Sequence, residues 1–357
     1  MAGGLILLTG LFCLALATPK PVNTTNGPIT GHTAANHSTV IEFLGIPYAQ
    51  APIDSLRFSP PQPLTSHSPY TAEDYGYDCP QSSSKPLDFD WLTPQAQRII
   101  DFFGGNAGTP RDEDCLTLNI WTPHHDDDCE RTRRPILIFF HGGRTAIGTT
   151  HTPFYSGAAF AAAQDVVVVT VNYRLNIFGF PGAPGLPAQN LGLRDQRAAV
   201  QWVANNAAAF GGDAERIVLW GQSSGGFSVD YWAYAYREEP IVRGLISMSG
   251  NAFSFPLNEE SVTVANWYNV SATVGCGNEG DTVDCMRQKD WREIEEAVGA
   301  LRPASGGNPI RSVPPFYPIA DGELVMEDYR ALAKAGEFAR LVSRQIPVSL
   351  NHGATLS

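Results

Sequence analysis

Residues 217–225 read Ile-Val-Leu-Trp-Gly-Gln-Ser-Ser-Gly, and the interpretation of the whole chain starts from this stretch. Its first four residues are apolar and partly β-branched, which predicts a short buried strand over 217–220. The next five have the form Gly-x-Ser-x-Gly, and a helix is expected to begin at Gly225. Such a sharp turn lifts the serine hydroxyl clear of the sheet, while the two glycines let the helix pack closely. The pattern therefore predicts Ser223 as a nucleophile.

A pair of glycines follows a second predicted strand, over residues 136–140. His141-Gly142-Gly143 comes directly after that strand, where glycines let backbone N–H groups approach a ligand. The N–H of Ser224, at the start of a helix, can also point at a developing oxyanion. A Gly- and Ser-rich turn without chemistry is the alternative interpretation of the serine motif. The second motif, in the right order along the chain, favours the catalytic interpretation.

The remaining apolar runs alternate with helical patterns. Strands are expected over 165–171, 245–248 and 346–350, and helices over 193–206, 258–274 and 291–301. This alternation predicts an α/β fold with a mostly parallel central sheet and helices on both faces. The Ser-, Pro- and Gly-rich stretch 80–110 is too long for an ordinary connection, so we expect a functional surface loop there.

Length and composition limit the class of protein. A chain of 357 residues can form two domains or one large α/β domain with a substantial core. Its 43% hydrophobic and 17% charged residues are typical of a globular protein rather than a disordered one. The net charge of −12 counts against a nucleic-acid partner, because phosphate binding requires clustered Lys and Arg.

The N-terminus predicts export. An apolar run over residues 5–17 ends in Ala15-Leu16-Ala17, which is typical of a signal peptide over residues 1–17. A buried N-terminal helix or strand is the alternative. No other run approaches the ~20 apolar residues of a membrane span, so we expect a soluble secreted protein. Three glycosylation sequons agree with this expectation, at Asn23, Asn36 and Asn269.

Five cysteines remain once Cys13 is removed with the signal peptide. An oxidising compartment favours two disulfide bridges and one leftover thiol. Proximity pairs Cys276 with Cys285, which leaves Cys79 to join either Cys115 or Cys129.

Metal chemistry has one candidate, the segment 124–129, which reads His-His-Asp-Asp-Asp-Cys. Adjacent ligands rarely close a tetrahedral site, so a solvated loop is the preferred interpretation and no metal is predicted. No Cys-x-x-Cys pattern occurs, which counts against a redox centre or a zinc ribbon.

A series of short motifs extends along most of the chain. The most specific is Glu-Asp-Cys-Leu-Thr-Leu-Asn-Ile-Trp at 113–121, and the others lie at 43–49, 56–61, 171–174, 179–180, 190–196, 202–203, 210–213 and 316–322. On these motifs the sequence resembles the type-B carboxylesterase family, which includes cholinesterases and fungal lipases. The resemblance implies an α/β-hydrolase fold, formed by one domain over residues 18–357.

The resemblance also implies the site and the bridges. Ser223 would be the nucleophile, and the oxyanion donors would be the backbone N–H groups of Gly143, Arg144 and Ser224. The function implied is that of a secreted serine carboxylic ester hydrolase, which forms an acyl-enzyme with a small-molecule ester and uses no cofactor. The implied disulfides are Cys79–Cys115 and Cys276–Cys285, with Cys129 unpaired.

Three residues near the serine depart from the family pattern. Arg144 stands where the family has a third glycine, so its guanidinium either crowds the scissile carbonyl or attracts an anionic substrate. Thr145 replaces an aromatic residue. Gln222 stands where cholinesterases have a glutamate, which weakens the case for a cationic, choline-like substrate.

The acid and the histidine of the family site are the largest departure. Only His352 follows Ser223, and residues 349–357 lack the family's Glu-Gly, so the resemblance covers roughly two thirds of a typical member. We therefore expect the C-terminal strands and helices to be missing, as in a truncated gene model, with negligible ester turnover by this chain. A triad of Ser223 and His352 with Asp321 or Glu323 is one alternative. A non-catalytic esterase-like binding or adhesion protein is another.

Overall fold

The computed structural model describes residues 20–82, 91–124, 133–254, 256–301 and 313–341. The predicted signal peptide, most of the segment 124–129, the predicted strand 346–350 and His352 lie outside these residues. In the described chain, the strands are β1 (Val22–Thr24), β2 (Gly27–Thr30), β3 (His32–Ala34), β4 (His37–Pro47), β5 (Tyr70–Thr71), β6 (Thr117–Pro123), β7 (Arg134–Phe140), β8 (Val167–Val171), β9 (Gly212–Gln222) and β10 (Gly244–Met248). The helices are α1 (Pro94–Phe103), α2 (Ala158–Gln164), α3 (Asn176–Gly179), α4 (Leu191–Asn206), α5 (Ser224–Ala235), α6 (Glu260–Thr273), α7 (Val283–Arg287), α8 (Trp291–Ala300) and α9 (Tyr329–Ala335).

Seven of the described strands form one central sheet, in the order β10-β9-β7-β8-β6-β4-β3. The strands from β10 to β8 are parallel, whereas β6, β4 and β3 continue the sheet antiparallel to their neighbours. The mostly parallel arrangement expected from the sequence is therefore that of the four strands around the serine motif, and the sheet as a whole is mixed. A smaller sheet of β1, β2 and β5 lies apart from it.

The middle strands β6, β7 and β8 are largely buried on both faces, which explains the apolar runs of β7 and β8, whereas the edge strand β10 exposes Ile246 and Met248. Neighbouring residues Ile120 and Trp121 of β6 point to opposite faces because side chains alternate along a strand. Ile120 belongs to the cluster that contains apolar residues of α4 and α5, and Trp121 belongs to the cluster that contains α2. Helices on both faces of the sheet are thus observed, as expected.

The predicted helices are present with small shifts at their ends. The expected helices 193–206, 258–274 and 291–301 correspond to α4, α6 and α8. The prediction of a loop over 80–110 was wrong in part, because α1 lies within it. Thr93 caps α1 by accepting a hydrogen bond from the Ala96 N–H, and Pro94 occupies the first turn, where a missing N–H costs nothing. A Thr-Pro pair ahead of residues with helical propensity was the signal that the sequence analysis overlooked.

Both predicted disulfide bridges are present, Cys79–Cys115 and Cys276–Cys285. A buried ion pair connects their surroundings, since Arg57 contacts Glu113 near the first bridge. Arg57 also donates to the backbone oxygens of Met286 and Lys289, near the second bridge. Cys129 lies outside the described residues, so its unpaired thiol stays a prediction.

Candidate active site

Ser223 lies at the turn between β9 and α5, where the sequence predicts a nucleophile. Its backbone has φ of 56° and ψ of −116°, a conformation that an L-residue adopts at a cost of about 1–3 kcal/mol. The Ser223 N–H donates to the Met248 carbonyl at 2.8 Å, and the Ser223 carbonyl accepts from the Phe227 N–H at 3.0 Å. These bonds tie the turn to β10 on one side and to the first turn of α5 on the other. The strained backbone of Ser223 is therefore held by hydrogen bonds to both β10 and α5.

The turn requires glycines because its close backbone contacts leave no space for a side chain. A Cβ at Gly221 would lie 2.2 Å from the Gly225 carbonyl oxygen, and a Cβ at Gly225 would lie 2.0 Å from the Phe140 oxygen. Both distances are well below any real contact, so the two motif glycines are required sterically. Gly250, which the sequence analysis missed, is equally constrained, because its Cβ would lie 1.9 Å from the Ser223 oxygen. Its signal was a glycine just beyond the carboxyl end of a predicted strand.

The second motif lies directly beside the serine. We call residues 141–148 the oxyanion loop. A Cβ built at Gly142 would lie 3.0 Å from the Ser223 Cβ, so the loop backbone passes against the turn. The Gly143 carbonyl accepts from the N–H groups of Ala146 and Ile147, both at 3.1 Å, which closes a tight turn within the loop. The structure thus brings the two predicted motifs together.

The predicted oxyanion donors have backbone groups available in this arrangement. Among the described residues, the N–H groups of Gly143 and Ser224 have no hydrogen-bond acceptor. Arg144 lies between Gly143 and Thr145 and is partly buried. Available N–H groups beside a serine are what an oxyanion hole requires. The assignment of Gly143, Arg144 and Ser224 as its donors stays a prediction.

A buried ring outside the oxyanion loop, that of Tyr173, packs against the ring of His141, the first residue of the loop. The Tyr173 hydroxyl donates to the His141 carbonyl at 2.7 Å, and the two rings stack with centroids 4.5 Å apart. Burial raises the pKa of Tyr173 well above its ordinary value, so its hydroxyl stays protonated as a donor. Burial lowers the pKa of His141, which favours the neutral imidazole. His141 Nδ1 lies 2.9 Å from the Gly142 carbonyl, an acceptor only, so Nδ1 carries the proton.

The acids of the alternative triad make other contacts. The Asp321 carboxylate accepts from the backbone N–H groups of Glu323, Leu324 and Val325 and from the Asn190 side chain. The Glu323 carboxylate pairs with Arg194 at 2.6 Å. These contacts organise the turn before α9, and His352 lies outside the described residues.

The remaining site predictions concern the surface and metals. The sequon residues Asn23, Asn36 and Asn269 are all exposed, as glycosylation requires. Within the described residues, no group of three or more His, Cys, Asp or Glu side chains is placed to hold a metal ion. No helix in the described ranges combines the length and apolar character that crossing a membrane requires.

Comparison with known proteins identifies the family. A chlorogenic acid esterase from Aspergillus niger is 34% identical over 324 residues, which cover 90% of this chain and 60% of that protein. Secreted lipase 5 from Gibberella zeae is 31% identical, with 94% and 65% covered, and mouse neuroligin-2 is 30% identical, with 89% and 39% covered. The chain thus spans less than two thirds of the length of these relatives. The model of the carboxylesterase family matches residues 18–348, and the chain belongs to this family.

Proposed function

We propose that this chain carries the nucleophile and the oxyanion hole of a secreted serine carboxylic ester hydrolase. The observation that carries the proposal is the contact between two motifs about 80 residues apart in sequence, Ser223 in its strained turn and the oxyanion loop against it. Two relatives named as an esterase and as a secreted lipase support the same reaction class and export. The two disulfides agree with an oxidising compartment.

The reaction follows from this geometry. The Ser223 oxygen attacks the ester carbonyl as a base removes the hydroxyl proton, and the tetrahedral oxyanion accepts hydrogen bonds from the N–H groups of Gly143, Arg144 and Ser224. Collapse of the intermediate expels the alcohol, which takes up the proton, and leaves the acyl group on Ser223. Water then releases the acid by the same route.

The substrate class follows from the side chains beside the serine. Gln222 is partly buried, and its amide oxygen would lie 3.0 Å from a Cβ at Gly142, so it lies between the turn and the oxyanion loop. An uncharged amide there offers no attraction to a cationic substrate. We therefore propose neutral or anionic small-molecule esters, with chlorogenate among the first to assay because of the first relative named above.

The test uses the chain together with whatever sequence follows residue 357 in its gene. We expect the culture medium of expressing cells to hydrolyse p-nitrophenyl acetate, and Ser223→Ala to lower turnover about 10⁶-fold. Ser261→Ala, which removes an exposed hydroxyl on α6, is the matched control and should leave turnover unchanged. A fluorophosphonate should label the wild-type protein on Ser223.

A second candidate is a non-catalytic binding protein built on the same fold. It is favoured by the similarity to neuroligin-2, whose name, unlike those of the two fungal relatives, includes no hydrolytic activity. The intact turn around Ser223 counts against it. A folded protein that neither hydrolyses esters nor reacts with the fluorophosphonate would establish this second candidate instead.

A further inference from the structure

A short segment ahead of α1 runs alongside the oxyanion loop and contacts it repeatedly. We call residues 78–82 the splint. The Gln81 side chain forms hydrogen bonds to both backbone groups of Gly148. Its Oε1 accepts from the Gly148 N–H at 2.8 Å, and its Nε2 donates to the Gly148 carbonyl at 3.1 Å. The Ser82 N–H donates to the Ala146 carbonyl at 2.9 Å. The splint therefore pairs with the C-terminal half of the loop much as a neighbouring strand would.

The first residue of the splint holds the chain that follows the loop. The Asp78 carboxylate accepts from the hydroxyls of Thr149 and Thr109, and from His151 Nδ1 at 2.7 Å. Asp78 and Gln81 are each only 1% exposed, so these bonds are shielded from water. A buried carboxylate needs such donors, because unpaired it would be costly to desolvate. Asp78 and Gln81 thus fix the loop from two adjacent points.

The oxyanion loop requires support from outside because its own backbone is unfavourable. Gly143, Arg144, Thr145 and Gly148 all have positive φ values, of 117°, 57°, 57° and 134°. Glycine tolerates such values, but Arg144 does so at a cost, and a β-branched residue such as Thr145 is a genuine outlier. Strained conformations persist only where the surroundings determine them. The splint supplies contacts that determine this one.

The splint is itself anchored on both sides. Cys79, its second residue, is bridged to Cys115, and both sulfur-bearing residues are buried. The Gln81 N–H donates to the Glu295 carboxylate on α8 at 2.8 Å, and Glu295 pairs with Arg111 at 3.2 Å. The disulfide thus lies between Asp78 and Gln81, the two residues that hold the loop.

We propose that Gln81 is a positioning residue, which aligns the oxyanion donors through the backbone of Gly148, and that the Cys79–Cys115 bridge keeps it in place. The inference rests on the proposed function of the loop, since donors have value only beside a reacting carbonyl. Gln81 acts through the loop backbone and not by contact with the substrate or with Ser223. Its effect on the oxyanion donors is transmitted through the loop backbone between Gly148 and Gly143.

The first experiment measures amide hydrogen exchange of the full chain at single-residue resolution. Gln81→Met keeps the size of the side chain and removes both hydrogen bonds to Gly148, together with a third at 3.3 Å from Nε2 to the Cys79 carbonyl. If Gln81 has only a local role, the substitution should speed hydrogen exchange at the Gly148 amide alone, because that amide loses its acceptor. Positioning predicts that the Ala146 and Ile147 amides, which bond to the Gly143 carbonyl, also exchange about tenfold faster. The control is Gln201→Met on α4, where the exposed glutamine side chain donates to the Asn205 side chain.

The second experiment measures esterase kinetics of the same variants, in the chain with any sequence that follows it in the gene. Gln81→Met should lower kcat about 10- to 100-fold with KM unchanged, because misplaced donors weaken transition-state binding only. A merely structural role would lower the amount of folded protein and leave kcat per Ser223 titrated by fluorophosphonate unchanged. Gln201→Met should match the wild type in both constants.

The outcomes separate this inference from the function on which it rests. Wild-type protein without hydrolysis overturns the proposed function, whereas the exchange experiment still decides whether the splint fixes the loop. Exchange at Ala146 and Ile147 that is unchanged in Gln81→Met overturns the splint, even in an active enzyme. The paired variant Cys79→Ser/Cys115→Ser should reproduce the faster exchange. If that variant does not fold, the Gln81→Met result alone decides.

Discussion

The turn at Ser223 and the oxyanion loop both place non-glycine residues at positive φ, but they are stabilised in different ways. In the turn, Gly221 packs against the Gly225 backbone and Gly225 packs against Phe140 at the end of β7, so the conformation requires the two motif glycines that lie two positions from the serine. In the loop, the strained Arg144 and Thr145 depend on partners about 30 to 80 residues away, in the splint, on α3 and on α5. A five-residue motif can thus indicate one half of the candidate site, whereas the other half becomes clear only in the assembled fold.

Thr145 shows how many distant contacts the loop uses. Its N–H lies 3.3 Å from the Ser224 hydroxyl oxygen, and its carbonyl accepts from the Asn176 N–H at 2.7 Å. The Asn176 side chain donates in turn to the Ser82 hydroxyl at 3.1 Å. Ser224 follows Ser223 directly, so the loop and the turn are coupled by this chain of bonds. Because the loop is held by many separate contacts, we expect a substitution in the turn to lower stability severely and a substitution around the loop to lower it by a smaller amount.

The largest effect is expected in the turn, from Gly225→Ala. The new Cβ would lie 2.0 Å from the Phe140 oxygen and 2.8 Å from the His141 oxygen, which are backbone atoms at the end of β7 and at the start of the oxyanion loop. Because Phe140 cannot move without breaking its pairing with β8 and β9, we expect a loss of at least about 4 kcal/mol in the free energy of unfolding, or no folded protein. Urea denaturation followed by tryptophan fluorescence measures the loss.

The control for this prediction is Gly299→Ala on α8, where nothing lies within 4 Å of the added Cβ. Replacement of a helical glycine by alanine should stabilise the protein by up to about 1 kcal/mol. A Gly225→Ala protein as stable as the wild type would show that the turn does not require its glycine, and the comparison with the loop would lose its basis.

The same contrast explains how much of the molecule the sequence predicts. Strands β7 to β10 are apolar runs and α4 has a regular buried face, so their positions follow from local patterns. Ser223 and the glycines around it follow from a five-residue motif. The roles of Asp78, Gln81 and Tyr173 could not be predicted, because each becomes clear only when its distant partner is known. The antiparallel half of the sheet was missed because polar residues such as Glu42 and Asn119 interrupt the apolar runs of β4 and β6, so the sequence pattern predicts no strand there.

An intermediate effect is expected in the splint, from Asp78→Ala. The variant leaves the hydroxyls of Thr109 and Thr149 and the ring of His151 without their buried acceptor. Each unsatisfied buried donor costs about 1–3 kcal/mol, and relaxation will recover part of the sum, so we expect a loss of about 3 kcal/mol in urea denaturation. Asp74→Ala removes an exposed carboxylate nearby and should stay within about 0.5 kcal/mol of the wild type. Equal stability of the two variants would contradict the role of Asp78.

The smallest effect is expected beneath the loop, as a dependence of stability on pH that His141 contributes. Burial lowers the pKa of His141 in the folded protein, whereas the unfolded chain has a histidine pKa of about 6.5. Between these two values the unfolded chain binds a proton that the folded chain does not. The stability that depends on His141 is therefore complete above about pH 6.5 and declines as the pH falls toward the folded pKa, by at most about 1.4 kcal/mol per pH unit.

The measurement is the difference in free energy of unfolding between wild type and His141→Phe, determined from pH 7.5 to pH 5. Phenylalanine keeps an aromatic ring to stack on Tyr173 but cannot take up a proton, so the contributions of all other groups cancel in the difference. We expect the wild type to lose stability relative to His141→Phe as the pH is lowered, while His67→Phe at an exposed position keeps the wild-type slope. Parallel curves for wild type and His141→Phe would mean that His141 is protonated equally in both states, and that the ring beneath the oxyanion loop is not shielded from water.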